Sequence, residues 1–478
     1  MAASTGTTPH VLSAAFPQHS SVNRHGRLEI GGCDAIELAR EFGTPAYVVA
    51  EEDLRERARA FLDAATASTH PDLHTLFASK AFPCTAVLSL FANEGLWCDV
   101  ASAGELHLAL NAGFPPERIV LHGNAKSEHE LTMALHAGVA LIVIDNFHEI
   151  ERLRALVAGR GSQADAEAEF VRPALEPAGG APHVGPREAP HAAPPSSIGE
   201  EMGGKARHYV QDVLIRVTPD VRGHTHDHIS TGQADSKFGF SMDHAPEAIA
   251  RVREIDGLAL RGLHAHVGSQ LLELDPFRRE AAELAKLGRF PVWDMGGGLG
   301  VRYTADQPEP PSIESYVAAV VAAAREHGMG ERGRRLLIEP GRALTANACV
   351  TLYTVQSVKH NVSRWVAVDG GMSDNLRPML YGARYDAHVA DRLGGGEECV
   401  LAGKHCESGD VIVRPAFLHD PRPGDVIVTP ATGAYGHAMA SNYNGVPRPP
   451  VIFCAHGNAR AVLRRETLND LTSRDLPL

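Results

Sequence analysis

Lys80 is the residue whose type and position most directly suggest covalent chemistry. It ends the apolar, strand-like run 74–79 and precedes a turn that contains Pro83. A lysine beside buried surface is expected to have a lowered pKa, because burial disfavours the charged form of the amine. A neutral amine is the nucleophile in Schiff-base chemistry, which makes Lys80 a candidate for that role. A solvated lysine at a strand end is the alternative that this motif alone leaves open.

Two loops suggest an anion site. The glycines at 296–298 follow an apolar segment, and bare glycines let backbone N–H groups approach a phosphate closely. A dinucleotide fingerprint would need a glycine at 301, where Val301 stands, so a Rossmann site is disfavoured. The loop 339–342 supplies one anion, Glu339, and one cation, Arg342. A tight turn and a surface ion pair are the simpler interpretations of these two loops.

His266, Ser269 and Glu339 would suit a flat, phosphorylated pyridine ring. A carboxylate such as Glu339 opposite a pyridine nitrogen holds that nitrogen protonated and so strengthens the ring as an electron sink. His266 is expected to point inward from its strand, where an imidazole can stack on the ring. Ser269 follows three positions later, within reach of a phosphate.

These residues fall at the ends of strands that alternate with helical patterns. The strand predictions are 76–79, 96–100, 119–122, 141–145, 213–217, 262–267, 292–295 and 336–338. Their number and spacing predict a parallel (β/α)8 barrel of the TIM type, in which active sites gather at the C-terminal ends of the strands. The residues at those ends are polar or glycine: Lys80, Asp99, His122, Asp145, Arg216, His266, the glycines at 296–298, and Glu339.

After about residue 345 the pattern changes to short β-rich runs between Gly/Pro turns. This predicts a mostly antiparallel all-β domain, completed by the N-terminal segment. We expect a loose polar leader at 1–24, the segment that joins the β-domain at 25–47, the barrel at 48–345, the β-domain at 346–460 and a tail at 461–478. Residues 160–206 interrupt the barrel and are poor in large apolar side chains, so they are predicted to be disordered and without a catalytic role.

Three further polar motifs are open to more than one interpretation. Cys406 beside Glu407, on a glycine-flanked loop, can act as a proton donor or be part of an inert turn, and Tyr435 lies on a similar loop. His224, His226 and His228 alternate as if on one strand face. No cysteine or carboxylate with finger-like spacing accompanies these histidines, which disfavours a metal site.

The composition limits the class of protein. The 478 residues are 44% hydrophobic and 22% charged with a net charge of −13, values that suit a soluble globular chain and argue against a nucleic-acid partner. No run of about 18 apolar residues and no secretory pattern occurs, so we expect no membrane contact and a cytoplasmic location. Seven scattered cysteines without a C-x-x-C pair predict reduced thiols.

Taken in order, the motifs resemble those of the pyridoxal-phosphate decarboxylases with an alanine-racemase-type barrel, the fold type III enzymes. The likeness covers about residues 25–455 apart from the insert. The motifs that carry it are 77–81, 99–105, 122–124, 237–239, 266–270, 296–300, 339–342, 369–375, 377–378, 381–384 and 403–410.

The resemblance implies decarboxylation of meso-2,6-diaminoheptanedioate to L-lysine and carbon dioxide, the last step of lysine biosynthesis, with pyridoxal 5'-phosphate as cofactor. Lys80 would bind the cofactor as a Schiff base, His266 would stack on its ring and Glu339 would pair with its nitrogen. The phosphate end is expected at Ser269, at Gly296, Gly297 and Gly298, and at the turn formed by Glu339, Pro340, Gly341 and Arg342.

The resemblance also implies how the amino-acid substrate is held. Arg342, Arg377 and Tyr381 would grip the carboxylate of its distal end, Glu407 would accept the distal amino group, and Tyr435 would contact cofactor and substrate. Cys406 would protonate the α-carbon after carbon dioxide leaves. In the family, Cys406 and Glu407 reach the site from the second subunit, so a homodimer with shared active sites is expected. Two arginines on one carboxylate give bidentate recognition that a lysine could not supply.

Three departures from the family pattern occur. Gly436-His437 stands where Cys-Tyr is usual, Ala125 replaces a usual Asn, and Ala50 replaces a usual Asp. Two alternatives remain open: a pyridoxal-phosphate decarboxylase of another amino acid, such as ornithine or arginine, and a homologue that binds the cofactor without catalysis. Arg377, Tyr381 and Glu407 disfavour the first, and the presence of Lys80 and Cys406 disfavours the second.

Overall fold

The N-terminal part of the chain is a small sheet with one helix. The computed structural model describes residues 12–160, 210–221 and 236–477. The first elements are β1 (Ser21–Val22), β2 (Leu28–Ile30), β3 (Cys33–Asp34), α1 (Ala35–Phe42) and β4 (Ala46–Ala50). Helix α1 begins after Asp34, whose side chain accepts hydrogen bonds from two N–H groups of the first turn, and ends at Gly43, whose φ of +71° suits a glycine.

Strands and helices then alternate in a regular order. The elements are α2 (Glu51–Ala67), β5 (Leu73–Ala78), α3 (Thr85–Glu94), β6 (Trp97–Val100), α4 (Ala103–Asn111), β7 (Ile119–Leu121), α5 (Glu128–Ala137), β8 (Leu141–Ile144), α6 (Phe147–Arg160), β9 (Gln211–Thr218), β10 (Phe240–Ser241), α7 (Ala245–Arg253), β11 (Leu258–His264), α8 (Asp275–Ala285), β12 (Val292–Asp294), α9 (Ile313–Glu326), β13 (Arg335–Ile338) and α10 (Arg342–Thr345).

Eight of these strands close into a parallel barrel. The order is β5-β6-β7-β8-β9-β11-β12-β13, and β13 pairs with β5 to complete the ring, while β10 adds a short pair to β9. The (β/α)8 prediction is therefore confirmed. Each of the eight predicted strands overlaps an observed strand, with differences of a few residues at the ends.

The barrel interior contains an apolar plug with a polar layer above it. One cluster of buried side chains comes from the barrel strands alone and includes Leu76, Val120, Val143, Leu214, Val292 and Leu337. Side chains two positions apart on a strand point the same way. The next inward position is therefore polar on five strands: His122, Asp145, Arg216, Asp294 and Glu339. This register is what brings charged groups together at the C-terminal mouth.

The second domain is mostly antiparallel, as predicted. Its elements are β14 (Cys349–His360), β15 (Arg364–Val368), α11 (Arg377–Tyr381), β16 (His388–Val389), β17 (Glu397–Ala402), β18 (Val411–Leu418), β19 (Val426–Pro430), β20 (Val451–Ala455), β21 (Asn458–Leu463) and α12 (Leu468–Thr472). Only β15–β17 and β20–β4 pair in parallel among its strands. Strand β4 lies between β14 and β20, so the N-terminal segment completes this sheet.

Three predicted boundaries differ from the structure. Phe16 is buried at 5% exposure and β1 pairs with β2, so the described part of the leader, from residue 12, packs on the protein. Strand β4 keeps residues 48–50 in the β-domain, which the sequence placed in the barrel. The predicted tail includes the end of β21 and all of α12. Residues 161–206 of the insert and the histidines at 224, 226 and 228 lie outside the described residues.

None of the helices in the described ranges is long and apolar enough to cross a membrane.

Candidate active site

A cavity of about 430 Å³ opens at the C-terminal mouth of the barrel, against the β-domain. Ten of the predicted site residues line it: Lys80, His266, Ser269, Gly298, Glu339, Gly341, Arg342, Arg377, Tyr381 and Tyr435. A larger cavity of about 1160 Å³ lies between residues 12–26 and the loops near 299–313, and it contains none of the predicted site residues. The smaller cavity is therefore the candidate active site.

Lys80 faces this cavity from the turn that follows β5. Its Nζ lies 3.3 Å from Asp99 Oδ2, and Asp99 itself is buried at the end of β6. The Asp99 carboxylate raises the pKa of Lys80 above its usual value, an effect larger than the opposing effect of burial. The expected lowering of this pKa is thus wrong, because a buried carboxylate stands beside the amine.

His266 is oriented by the glycine loop. Its Nδ1 accepts a hydrogen bond of 3.1 Å from the backbone N–H of Gly297. Burial lowers the pKa of His266 well below its usual value, and the positive charges of Lys80 and Arg216 lower it further. A neutral imidazole with a fixed ring plane suits the predicted stacking role. In this structure the N–H of Gly297 is directed at His266, so Gly297 helps to orient the imidazole.

The glycines of this loop are required by close backbone approaches. A Cβ at Gly297 would stand 2.0 Å from the carbonyl oxygen of Glu339, and Gly298 has a φ of +126°. Gly296 and Pro340 lie behind the cavity wall: the carbonyl of Gly296 accepts from the N–H of Glu339, and the carbonyl of Pro340 accepts from the N–H of Ala78. These backbone hydrogen bonds join the ends of the neighbouring strands β12, β13 and β5.

Glu339 is buried among histidines. His122 Nε2 lies 2.7 Å from its Oε1, and His264 Nε2 lies 3.4 Å from its Oε2. Burial raises the pKa of Glu339, but the two histidines outweigh burial and hold that pKa well below its usual value. Glu339 is therefore an anion at the cavity wall, which is the state needed to accept a hydrogen bond from a protonated pyridine nitrogen.

Two arginines form the opposite side of the cavity. Arg342 Nη2 donates a 2.7 Å hydrogen bond to Ser269 Oγ, and Arg342 Nη1 donates to the Tyr303 hydroxyl. The guanidinium of Arg377 stands 4.6 Å from the centre of the Tyr303 ring, and its Nη1 donates to the Tyr385 hydroxyl. Both arginines are nearly buried. Tyrosines thus fix the directions of two cations that face one cavity.

Tyr435 enters the cavity from the β-domain. Its backbone has a φ of +65°, in the left-handed region, and its N–H donates a 2.8 Å hydrogen bond to the carbonyl of Ala81, next to Lys80. Its ring lies 5.0 Å from the guanidinium of Arg342. The strained turn therefore ties the β-domain to the segment that carries Lys80.

Cys406 and Glu407 are not brought to this cavity. They lie on the loop between β17 and β18, both are exposed, and neither lines the cavity. The N–H of Cys406 donates a 2.9 Å hydrogen bond to the side chain of Asn444.

Five residues of the site were missed as binding or catalytic candidates: Asp99, His122, Tyr303, His264 and Asp294. A signal existed for His122 and Asp294, because each lies two positions after an interior apolar residue of its strand. Asp99 and His264 likewise fall at strand ends. No comparable signal marks Tyr303, which lies in a loop without regular structure.

The cluster of His122, His264 and Glu339 also has the spacing of a metal site. One ligand atom from each lies within 4.8 Å of the others. This set differs from the histidines at 224, 226 and 228 that the sequence suggested and disfavoured.

Comparisons with known proteins agree with this geometry. A family model described as pyridoxal-dependent decarboxylase, pyridoxal binding domain, matches residues 51–168 and 199–346. The chain is 40% identical to diaminopimelate decarboxylase of Bacillus subtilis, over 96% of this chain and 97% of that protein. It is 41% identical to diaminopimelate decarboxylase of Actinosynnema pretiosum, over 98% and 97%.

Among solved structures, diaminopimelate decarboxylase from M. jannaschii in complex with L-lysine superposes with a TM-score of 0.82. The two chains are 28% identical, and the match covers 98% of this chain and 99% of that one. The match includes the barrel and the β-domain together.

Proposed function

The chain belongs to the pyridoxal-dependent decarboxylase family, and from this premise we propose that it converts meso-2,6-diaminoheptanedioate to L-lysine and carbon dioxide. The cofactor is pyridoxal 5'-phosphate, and the reaction is that of a carboxy-lyase. The observation that carries the substrate assignment is the pair of buried arginines, Arg342 and Arg377, that face the cavity containing Lys80. Such a pair suits a substrate with a second carboxylate.

The cavity fits this cofactor. Its volume of about 430 Å³ lies within the range of small-molecule sites. An amine for the aldehyde is present at Lys80, an anion for the ring nitrogen at Glu339, and a flat neutral ring for stacking at His266. The linked pair of Arg342 and Ser269 offers a cation and a hydroxyl for the phosphate end.

The bound cofactor supplies an electron sink for the charge that develops at the α-carbon when carbon dioxide leaves. The protein side chains prepare that step. Glu339 would supply the negative charge for the ring nitrogen, and His266 would stack on the ring. Arg377, held by Tyr385, binds the distal carboxylate and so fixes which carboxylate is positioned to leave. A substrate without the distal carboxylate leaves Arg377 with an unpaired buried charge.

We also propose that two subunits share each site. Cys406 of the partner subunit would donate the proton to the α-carbon, and Glu407 of the partner subunit would accept the distal amino group. In support, these side chains are exposed, and apolar Leu380 and Phe417 are also exposed at 47% and 52%. Phe417 lines a surface groove with Gly409, on the same loop as Cys406. An exposed apolar surface beside polar residues is typical of a protein interface.

A cytoplasmic location is proposed on the state of the cysteines. All seven are free thiols, and six of them are buried. Reduced cysteines are typical of proteins that work in a reducing compartment.

The direct test is product analysis. We expect purified protein incubated with pyridoxal phosphate and meso-2,6-diaminoheptanedioate to release carbon dioxide and L-lysine in equal amounts, with slower turnover of ornithine. Arg377→Ala should lower kcat/KM for the dicarboxylic substrate on the order of a hundredfold, because a buried charge pair is lost. The matched control is Arg384→Ala, which removes an exposed arginine paired with Asp306 at 2.7 Å. Faster turnover of ornithine by the unmodified protein would refute the substrate assignment.

A further inference from the structure

Glu339 is contacted on each of its two carboxylate oxygens by a different histidine. His122, after β7, reaches Oε1 at 2.7 Å, and His264, at the end of β11, reaches Oε2 at 3.4 Å. The two imidazole rings stand 4.8 Å apart and are inclined at 70°, so they approach the carboxylate from different directions. All three side chains are nearly buried. The carboxylate therefore has little freedom to rotate.

The charge on Glu339 is set by its surroundings. Burial alone would protonate it, yet the histidines hold its pKa well below the usual value. Asp294 behaves in the opposite way: burial first, and then the charge of Glu339, raise its pKa well above the usual value. The opposite directions of these two pKa shifts favour the negative charge on Glu339 and the proton on Asp294. Asp294 Oδ1 accepts a 3.0 Å hydrogen bond from the N–H of Gly296, which leaves Oδ2 for the proton.

His264 acts as a neutral hydrogen-bond donor in this arrangement. Burial lowers its pKa to about 3, so it carries one proton on the ring at neutral pH. That proton belongs on Nε2, where it can be donated to Glu339. Several titratable and charged groups surround Glu339: His122, His264, Asp294, Asp99, Arg216, Lys80, His266 and, behind the barrel wall, Glu280 and Tyr316.

We propose that His122 and His264 are positioning residues that clamp Glu339 as an oriented anion for the ring nitrogen of the cofactor. The inference rests on the proposed function, in which Glu339 meets that nitrogen. Neither histidine takes part in a chemical step of the reaction. Their effect is exerted through Glu339, and it should appear in cofactor affinity and in the dependence of that affinity on pH.

The test uses a pair of substitutions at each histidine. The amide nitrogen of glutamine can occupy the position of Nε2, whereas the shorter asparagine side chain reaches only the position of Nδ1. His122→Gln and His264→Gln should therefore keep the clamp, while His122→Asn and His264→Asn should break it. The measurement is the dissociation constant of pyridoxal phosphate from protein stripped of cofactor, between pH 6 and pH 8.5, together with thermal unfolding of the stripped protein.

We expect the asparagine variants to bind the cofactor about tenfold more weakly at pH 8, which corresponds to one lost hydrogen bond to a charged group. Their affinity should fall further towards pH 6, because Glu339 without its clamp becomes protonated. The glutamine variants should stay within about threefold of the unmodified protein, in keeping with the retained hydrogen bond. Equal behaviour of glutamine and asparagine variants, or asparagine variants that bind as tightly as the unmodified protein, would overturn the clamp.

Asp294→Asn provides an independent check on the location of the proton. If Asp294 is the neutral partner, an uncharged amide can keep the hydrogen bond from the N–H of Gly296, and cofactor affinity should remain within about threefold. A loss of about a hundredfold would instead place the negative charge on Asp294 and contradict the inference.

Two further outcomes distinguish this inference from the proposed function on which it rests and from a metal site at the same residues. Unmodified protein that binds no pyridoxal phosphate would refute the proposed function itself. Stoichiometric zinc in the purified protein, with cofactor affinity lost on chelation, would show that the histidines and Glu339 hold a metal ion and would overturn the clamp while leaving the cofactor assignment intact.

Discussion

Lys80 Nζ and Asp99 Oδ2 lie 3.3 Å apart and form an ion pair between the turn after β5 and the end of β6. The carboxylate is buried, whereas the lysine side chain is 48% exposed towards the cavity. The amine is therefore held in place by a charge that also keeps it protonated. Reaction with an aldehyde requires the neutral amine, so Asp99 opposes the first step while it positions the nucleophile.

Replacement of Asp99 should move the pH at which Lys80 reacts. In Asp99→Asn the pKa of Lys80 falls, because its largest stabilising charge is removed, and the fraction of neutral amine rises about tenfold for each unit of that fall. The measurement is the rate of pyridoxal phosphate uptake by stripped protein from pH 6 to pH 9, followed by absorbance. We expect the rate to level off at lower pH in Asp99→Asn than in the unmodified protein. Lys80→Ala is the control and should show no such absorbance, and superimposable pH profiles would contradict the prediction.

Tyr303 should matter for substrate recognition although it does not line the cavity. Its hydroxyl accepts from Arg342 and its ring contacts Arg377, so Tyr303→Phe removes the group that fixes Arg342. We expect kcat/KM for the dicarboxylic substrate to fall about tenfold or more, the value of one hydrogen bond to a charged group. The matched control is Tyr316→Phe, a buried tyrosine whose hydroxyl reaches only the carbonyl of Gly296, at 3.5 Å. Equal effects of the two substitutions would show that Tyr303 has no specific role.

His437, one of the departures from the family pattern, should weaken the protein in acid. Its ring packs 5.1 Å from Phe82, and burial lowers its pKa to about 4. The unfolded chain therefore binds more protons than the folded one between about pH 6.5 and pH 4, and stability is lost as pH falls through that window. His437→Phe should remove this loss and gain up to about 2 kcal/mol at pH 5 relative to pH 8. Urea unfolding of stripped protein at the two pH values measures the difference.

The control for His437 is an exposed histidine. His360→Phe changes a residue at the exposed end of β14 and should show no such difference between pH 5 and pH 8. A pH-dependent gain of the same size in both variants would argue against the burial of His437 as the cause.

Shared sites predict complementation between two inactive variants. Lys80→Ala lacks the amine and Cys406→Ala lacks the proton donor, and each alone should lose most of its turnover while Cys406→Ala still binds the cofactor. A heterodimer of the two has one intact site, so an equal mixture after subunit exchange should regain about a quarter of the unmodified activity. Heterodimers that form, as seen by native mass spectrometry, but remain inactive would refute the shared site.

The sequence predicted the barrel because its strands are short apolar runs buried on both sides and separated by helical patterns. It also placed Lys80, His266, Glu339 and Arg342 correctly at strand ends, since parallel strands gather their C-terminal ends at one mouth. These predictions needed only local patterns and one topological rule.

The partners of those residues could not be obtained in the same way. Whether Asp99 stands beside Lys80, or His264 beside Glu339, depends on which strands become neighbours and on the stagger between them. Tyr303 meets Arg377 only because a loop of the barrel folds against the β-domain, a contact between residues far apart in sequence. The predicted lowering of the Lys80 pKa was wrong for this reason: the apolar strand before Lys80 could be recognised locally, but the buried carboxylate of Asp99 beside its amine could not.

The central position of β4 constrains the order of assembly during translation. Its two neighbours in the sheet, β14 and β20, lie about 300 and 400 residues later in the chain. A nascent chain leaving the ribosome therefore exposes the edges of β4 until Ala455 has been synthesised, by which time the whole barrel sequence has already emerged. An apolar strand with two open edges is prone to pair with other chains. Until β14 and β20 have been synthesised, β4 therefore depends on protection from pairing with other chains.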